Sequence, residues 1–175
     1  MKGILELVHN DVFIPMSIPS LSKFVYYVSF IDDFSRNTWI YFLRMKPEVF
    51  DKFKEFKALV ENQIEKKIKV LRTDNGAVFY KKEFEEFYKK CGRSQKKTTP
   101  YTPQKNGVAE RLNVTLMENA RSMLSGVGLG QELWAEAMET ACYLVNRSPS
   151  LALEDKTPHE VCTGKNTLSF TSERI

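Results

Sequence analysis

Apolar residues along this chain recur with two different periods, and the changes between them divide it into elements. Leu5 to Val12 predicts a first strand ahead of the breaker Pro15, and Phe24 to Ile31 is almost continuously apolar, as a strand buried on both faces would be. Asp32-Asp33-Phe34-Ser35-Arg36-Asn37 supplies turn formers, and Thr38 to Leu43 is a third strand rich in aromatics. These three read as an antiparallel meander. The period then lengthens: Pro47 suits a first helical position, and Val49, Phe53, Phe56, Val60 and Ile64 fall on one helical face. Ile68 to Leu71 predicts a short buried strand before the turn signal Asn75-Gly76. A short helix over Glu83 to Lys90, with Phe84, Phe87 and Cys91 inward, and a polar, lysine-bearing edge strand over Ser94 to Thr99 follow. Two longer helices complete the pattern. One, about Gly107 to Leu124, carries Leu112, Leu116, Ala120 and Leu124 as its stripe, with Met123 beside them; the other, about Gln131 to Asn146, buries Trp134, Ala137, Met138, Ala141 and Val145. Gly126, Gly128 and Gly130 mark the break between them, and from Arg147 onward the signals fade.

The fold class is therefore α/β, and the 42% apolar and 12% aromatic content of 175 residues suffices for the core of one domain. No window approaches roughly 18 uninterrupted apolar residues, and Met1-Lys2-Gly3 does not open a signal peptide. The expectation is a soluble protein with no membrane partner, nuclear or cytoplasmic and not secreted. Three cysteines without a CxxC pair, and only two histidines, support neither a disulfide framework nor a zinc site.

Charge adds a direction. The net charge is only +4, but between Phe87 and Ala109 stand Lys89, Lys90, Arg93, Lys96, Lys97 and Lys105 with no acid among them. Such a run is commonly a solvated face, and it is also what neutralises the phosphates of a nucleic acid. Two acids flank it. Asp74 ends the fourth predicted strand, and Glu110 falls in the first turn of the following helix, about 200° around from Leu112 and clear of the apolar stripe. An acid there also suits the helix dipole, which is the blander account of Glu110. Asp11 lies near the end of the first strand, on the same side as His9. Asp32 and Asp33, in a hairpin turn, fit Asx-type hydrogen bonding better than metal binding. If the first and fourth strands are neighbours, Asp11 and Asp74 converge and the helix brings Glu110 over them. Three crowded carboxylates repel unless divalent cations neutralise them, and oxygen-only ligation suits Mg2+ or Mn2+. Two such ions, about 3.5 to 4 Å apart, are suited to phosphodiester chemistry.

The motifs Leu7-Val8-His9-Asn10-Asp11-Val12, Phe30-Ile31-Asp32-Asp33-Phe34-Ser35-Arg36, Arg72-Thr73-Asp74-Asn75-Gly76, Thr99-Pro100-Tyr101-Thr102-Pro103-Gln104 and Asn106-Gly107-Val108-Ala109-Glu110-Arg111 resemble the integrase catalytic core of copia-type LTR retrotransposons. Ala120-Arg121-Ser122-Met123-Leu124, Leu133-Trp134 and Asn146-Arg147-Ser148-Pro149 extend the likeness, which covers roughly residues 4 to 165. The 35 residues between Asp74 and Glu110 fit the spacing of that superfamily. The resemblance implies an RNase H-like fold, here a mixed five-stranded sheet flanked by helices, with a catalytic core over residues 4–147 and a partly irregular, truncated C-terminal extension over 148–175. It implies that Asp11, Asp74 and Glu110 are the catalytic, metal-binding triad for two Mg2+ or Mn2+ ions. It also implies DNA, both element ends and target, as the partner, and a homo-oligomeric enzyme; the basic residues Lys89, Lys90, Arg93, Lys96, Lys97 and Lys105, with Arg111, are the candidates to bind that nucleic acid. The alternative is a catalytically decayed fragment that only binds nucleic acid. Departures from the family pattern are Gly76-Ala77-Val78-Phe79 for the usual Gly-Gly-Glu-Phe, Val114 where Arg is common, Lys105 for Gln and Asn10 for Ser. An upstream His/Cys zinc-binding module and a C-terminal DNA-binding segment are the family parts expected to be missing.

Overall fold

The computed structural model describes residues 3–13, 15–73, 84, 86–87, 94–97 and 107–165. Strands β1 (Val8–Val12), β2 (Tyr26–Asp32) and β3 (Thr38–Leu43) lead into helix α1 (Val49–Ile64), strand β4 (Val70–Thr73), and helices α2 (Gly107–Gly126), α3 (Trp134–Arg147) and α4 (Pro158–Thr163). The first three strands form the expected antiparallel meander, with Asp11 opposite Ser29 and Phe30 opposite Trp39. β4 then lies parallel to β1 on its other side, pairing Val8 with Leu71 and Asn10 with Thr73. The condition that the first and fourth strands be neighbours is met.

The expectation of a five-stranded sheet is corrected. Four strands, in the order β3-β2-β1-β4, carry the sheet, and the polar run Ser94–Lys97 only lies along the outer edge of β4 in parallel register. Ser-Gln-Lys-Lys brings no apolar side chain to either face, so hydrogen bonding to a neighbour is all that this run contributes.

Alternation along the strands sorts the core into two layers. Val8, Val28, Phe30, Leu43 and Leu71 point to α1, where Phe53, Phe56 and Val60 meet them. Phe30 stacks on Phe56 at 4.3 Å with the rings nearly parallel. Phe84 is buried against Phe50 and Phe53, as the expected short helix over Glu83 to Lys90 requires, while Cys91 lies outside the described residues. On the opposite face Tyr27 packs with Leu116, Met117, Trp134, Met138 and Ala141 of α2 and α3. β2 is thus covered on both sides, which is why its sequence shows no polar alternation. Each fully buried Phe or Leu in these layers contributes about 1.5 to 3 kcal/mol.

Polar anchors fix the edges. Asp32, fully buried, accepts hydrogen bonds from Leu5 N (2.7 Å), Ser35 N (2.8 Å) and Ser35 Oγ (2.7 Å), the Asx-type role its turn position suggests. Asn146 presents its amide to Thr38 like a neighbouring strand, with Oδ1 accepting from Thr38 N (2.9 Å) and Nδ2 donating to Thr38 O (2.7 Å). Beyond α3, Thr157 and Glu160 form a reciprocal capping box that starts α4, whose Cys162 is buried. Among the described residues no helix is long and apolar enough to cross a membrane.

Candidate active site

Val8 and Val12 face α1 while Phe13 packs on the other layer, so the intervening His9 and Asp11 point toward α2. Asp11 is half-buried near the end of β1. There Asn113 of α2 donates from Nδ2 to Asp11 Oδ2 at 2.8 Å. Asn113 itself is 1% exposed, and its Oδ1 is buried with no hydrogen-bond partner among the described residues. Glu110 precedes Asn113 by three residues, hence on the same side of the helix, and is exposed. The strand-to-helix hydrogen bond therefore brings the Glu110 turn to the face of the sheet that carries Asp11.

The burial of α2 shifts the expected stripe. Ala109, Asn113, Leu116, Met117 and Ala120 are the buried residues, whereas Leu112, Met123 and Leu124 are only partly covered. A polar residue in the centre of that face is the signal that sequence reading passed over. The departure at Val114 is 55% exposed, so it is no part of the core.

Asp74 lies outside the described residues; β4 ends one residue before it, at Thr73, opposite Asn10. Lys89, Lys90, Arg93 and Lys105 also lie outside. Lys96 and Lys97 are placed by backbone only, in the edge run beside β4. Arg111 is exposed, with Nε donating to Gly107 O at 3.0 Å. Among the described residues no three His, Cys, Asp or Glu side chains gather into a metal-binding group.

A second polar pair supports β1 from the side. His9, 1% exposed, bonds through Nε2 to Asp33 Oδ1 at 2.8 Å. Asp33 thus acts between strands as well as within its own turn, where Arg36 Nη1 lies 3.5 Å from the same oxygen. Burial holds the imidazole pKa below its ordinary value despite that carboxylate, with Arg72 and Arg36 adding to the depression. Nε2 faces the carboxylate, and Nδ1 is buried with no hydrogen-bond partner among the described residues. Tyr27 stacks on Phe13 toward the Asp11 end of β1; burial first, and the Asp11 charge second, push its hydroxyl far above the ordinary range.

Comparison with known proteins places this arrangement. Residues 5–103 match the integrase core domain family. The chain is 49% identical over 163 residues to the retrovirus-related Pol polyprotein from transposon TNT 1-94 of Nicotiana tabacum, covering 93% of this chain and 12% of that protein. It is 35% identical over 161 residues to the Pol polyprotein from transposon RE2 of Arabidopsis thaliana, covering 92% and 11%. The chain thus spans only about a tenth of the length of these curated relatives. The simian T-cell lymphotropic virus intasome in complex with the PP2A regulatory subunit B56 gamma contains a chain with the same fold, at TM-score 0.74 and 16% identity over 94% of this chain and 56% of that one. The HTLV-2 integrase catalytic core domain in complex with magnesium, in its trimeric form, superposes at TM-score 0.67 and 18% identity, over 91% of this chain and 97% of that one. The first of these plant relatives, the family match and the shared fold agree: this chain belongs to the integrase core domain family of retroviruses and copia-type LTR retrotransposons.

Proposed function

We propose that this domain is a DDE-type polynucleotidyl transferase that trims the ends of element DNA and joins them to target DNA. The observation that carries the reading is the Asn113 to Asp11 hydrogen bond, which ties the Glu110 turn to the end of β1. Asp74 follows Thr73 by one peptide bond, and a strand continued by that one residue would present it beside Asp11 on the same face. We assign Asp11, Asp74 and Glu110 as the catalytic triad. Residues 4–147 would form the catalytic unit and 148–175 its C-terminal extension.

The donor chemistry fits Mg2+ or Mn2+. Asp11, Asp74 and Glu110 offer only carboxylate oxygens; Asp11 is half-buried and oriented by Asn113, and Glu110 is open to solvent. Two such ions, when bound, neutralise the charge developing on a phosphodiester and activate the attacking oxygen. The chain's own part is positioning: Asn113 fixes the rotamer of Asp11, and buried His9, bonded to half-buried Asp33, holds β1 in place. Lys89, Lys90, Arg93, Lys96, Lys97, Lys105 and Arg111 would hold DNA phosphates. The HTLV-2 core occurs in dimeric and trimeric forms, and we carry self-association over to this chain on that likeness.

A binding-only relic is the second reading. What favours it is exposed Val114, uncharged where family members commonly offer Arg. Mn2+-supported nicking and strand transfer on linear duplex DNA, with Asp11→Asn and Glu110→Gln beside the wild type, separates the two. Activity confined to the wild type supports the transferase. DNA binding without cleavage selects the relic, and equal activity in all three proteins sinks the triad.

A further inference from the structure

A groove of about 590 Å³ runs along the side of α2 that faces the segment following α3. Arg111, Thr115 and Asn119, spaced four apart, line one wall, and Ser148 and Ser150 line the other. Arg36 closes the groove from the β2–β3 turn, over a floor that includes Ile31 and Leu112. Its lining contains two arginines and no acid, so the groove is set for an anion.

Arg36 is held there against its backbone preference. Its φ is 63°, a left-handed conformation that non-glycine residues seldom adopt, and the turn is pinned by the three hydrogen bonds to Asp32. Its Nη1 lies 3.5 Å from Asp33 Oδ1, within ion-pair range, yet is buried without a hydrogen-bond partner among the described residues. Asp33 engages the Nη1 side of a guanidinium that carries five N–H donors, so an anionic oxygen in the groove has other donors of the planar fork to bind. Arg111 uses Nε on the Gly107 carbonyl, and its planar fork keeps further N–H donors for the same task.

Resting on the transferase reading above, we infer that this groove seats the phosphates of a DNA strand adjacent to the Glu110 turn, with Arg36 and Arg111 as the phosphate-binding residues. Its wall follows α2 from Val108 to Asn119, roughly 16 Å at 1.5 Å per residue, longer than one phosphate needs. No aromatic side chain lines it, so it offers no base-stacking platform and follows the backbone without regard to sequence.

The test is anisotropy of a fluorescein-labelled duplex with wild-type protein and variants in EDTA, where cleavage is silent, over a range of salt. Arg111→Gln and Arg36→Gln are each expected to lower the slope of log K against log salt by about one. Thr115→Glu, which places a carboxylate on the wall, is expected to weaken binding at least tenfold. Lys54→Gln, on α1 beyond the opposite face of the sheet, should change neither quantity. Unchanged slopes for Arg111→Gln together with unchanged affinity for Thr115→Glu would overturn the groove, as would an equal loss in Lys54→Gln. If Arg36→Gln fails to fold, the two substitutions on the exposed side of α2 decide alone. Nicking assays on the same proteins keep the two readings apart. A wild type that binds with the expected slopes and never nicks defeats the transferase and leaves the groove; nicking with unaltered slopes defeats only the groove.

Discussion

Asn113 Nδ2 lies 2.8 Å from Asp11 Oδ2, a side-chain hydrogen bond that crosses from α2 to the proposed catalytic strand. A buried amide in that place has an orienting role, because its other end, Oδ1, finds no partner among the described residues and gains nothing locally. Asn113→Ala removes a bond to a charged group, so a loss of about 1.5 to 3 kcal/mol is expected, less whatever the cavity recovers. Millimolar Mg2+ or Mn2+ should raise the melting temperature of the wild type by binding the folded state, and raise it less in Asn113→Ala, whose Asp11 carboxylate is no longer held. Asn113→Asp sets two carboxylates in contact and should lose still more stability without metal. A wild-type melting curve indifferent to divalent ions would count against the metal site.

Asn146 belongs to one of the motifs that mark the family, yet its contacts are structural. It supplies both an acceptor and a donor to Thr38 of edge strand β3, in place of the strand that is missing there. Asn146→Ala leaves the Thr38 N–H without its acceptor and the Thr38 C=O with only the weak Cys142 thiol donor, at a site where Asn146 is 8% exposed, and an unsatisfied buried group costs about 1 to 3 kcal/mol. Urea denaturation should show a lower midpoint with the slope unchanged, and any metal-dependent activity should persist in the fraction that remains folded.

The buried thiols give a pH-dependent check on α3 and α4. Burial above all pushes both Cys142 and Cys162 up to about 12, with Glu139 and Asp32 respectively adding to the rise. Unfolding returns each to a value near 9, so between those limits the unfolded chain binds fewer protons than the folded one, and stability falls as pH rises from 9. Below 9 the thiols cost nothing by this route. Iodoacetamide at neutral pH should therefore leave both residues unmodified in the native protein and label them in urea, read by peptide mass. Prompt native labelling of Cys142 would mean that α3 does not cover β3 as found.

How much of this was legible beforehand differs by element. Strong, long periodic runs were read correctly: the meander, α1 and α3 follow from patterns in which packing and propensity agree. The polar edge at Ser94–Lys97 was overcounted as a full strand, since a run without apolar residues carries no signal of how far it pairs. In α2 the apolar stripe was placed about one position off, because Asn113 interrupts it and reads as solvent-facing when it is 1% exposed. That same asparagine, and the His9–Asp33 pair, need two segments 24 or more residues apart to meet, so no local spacing announces them. Asp11 and Glu110 were singled out because each sits where a strand ends or a helix begins, and Asp74 on the same ground, though it lies outside the described residues.

Val114 offers the sharpest test of the orientation of α2. It stands four residues after Glu110, on a neighbouring part of the same helical face, and at 55% exposure it packs against little. Replacement by arginine should accordingly shift stability by no more than about 0.5 kcal/mol, as for other surface sites free of special contacts. Leu116→Ala, two positions on and fully buried, should cost about 2 to 5 kcal/mol. The contrast between the two fixes the rotation of the helix without any activity measurement. If α2 faces DNA as proposed, the new guanidinium adds one phosphate contact, which steepens the slope of log K against log salt by about one and strengthens binding at low salt. In a Glu110→Gln background the gain in binding should remain while Mn2+-dependent strand transfer stays absent, since affinity and chemistry then rest on different side chains. A Val114→Arg protein that melts as early as Leu116→Ala would mean that this face is packed, and the placement of Glu110 toward Asp11 would fall with it.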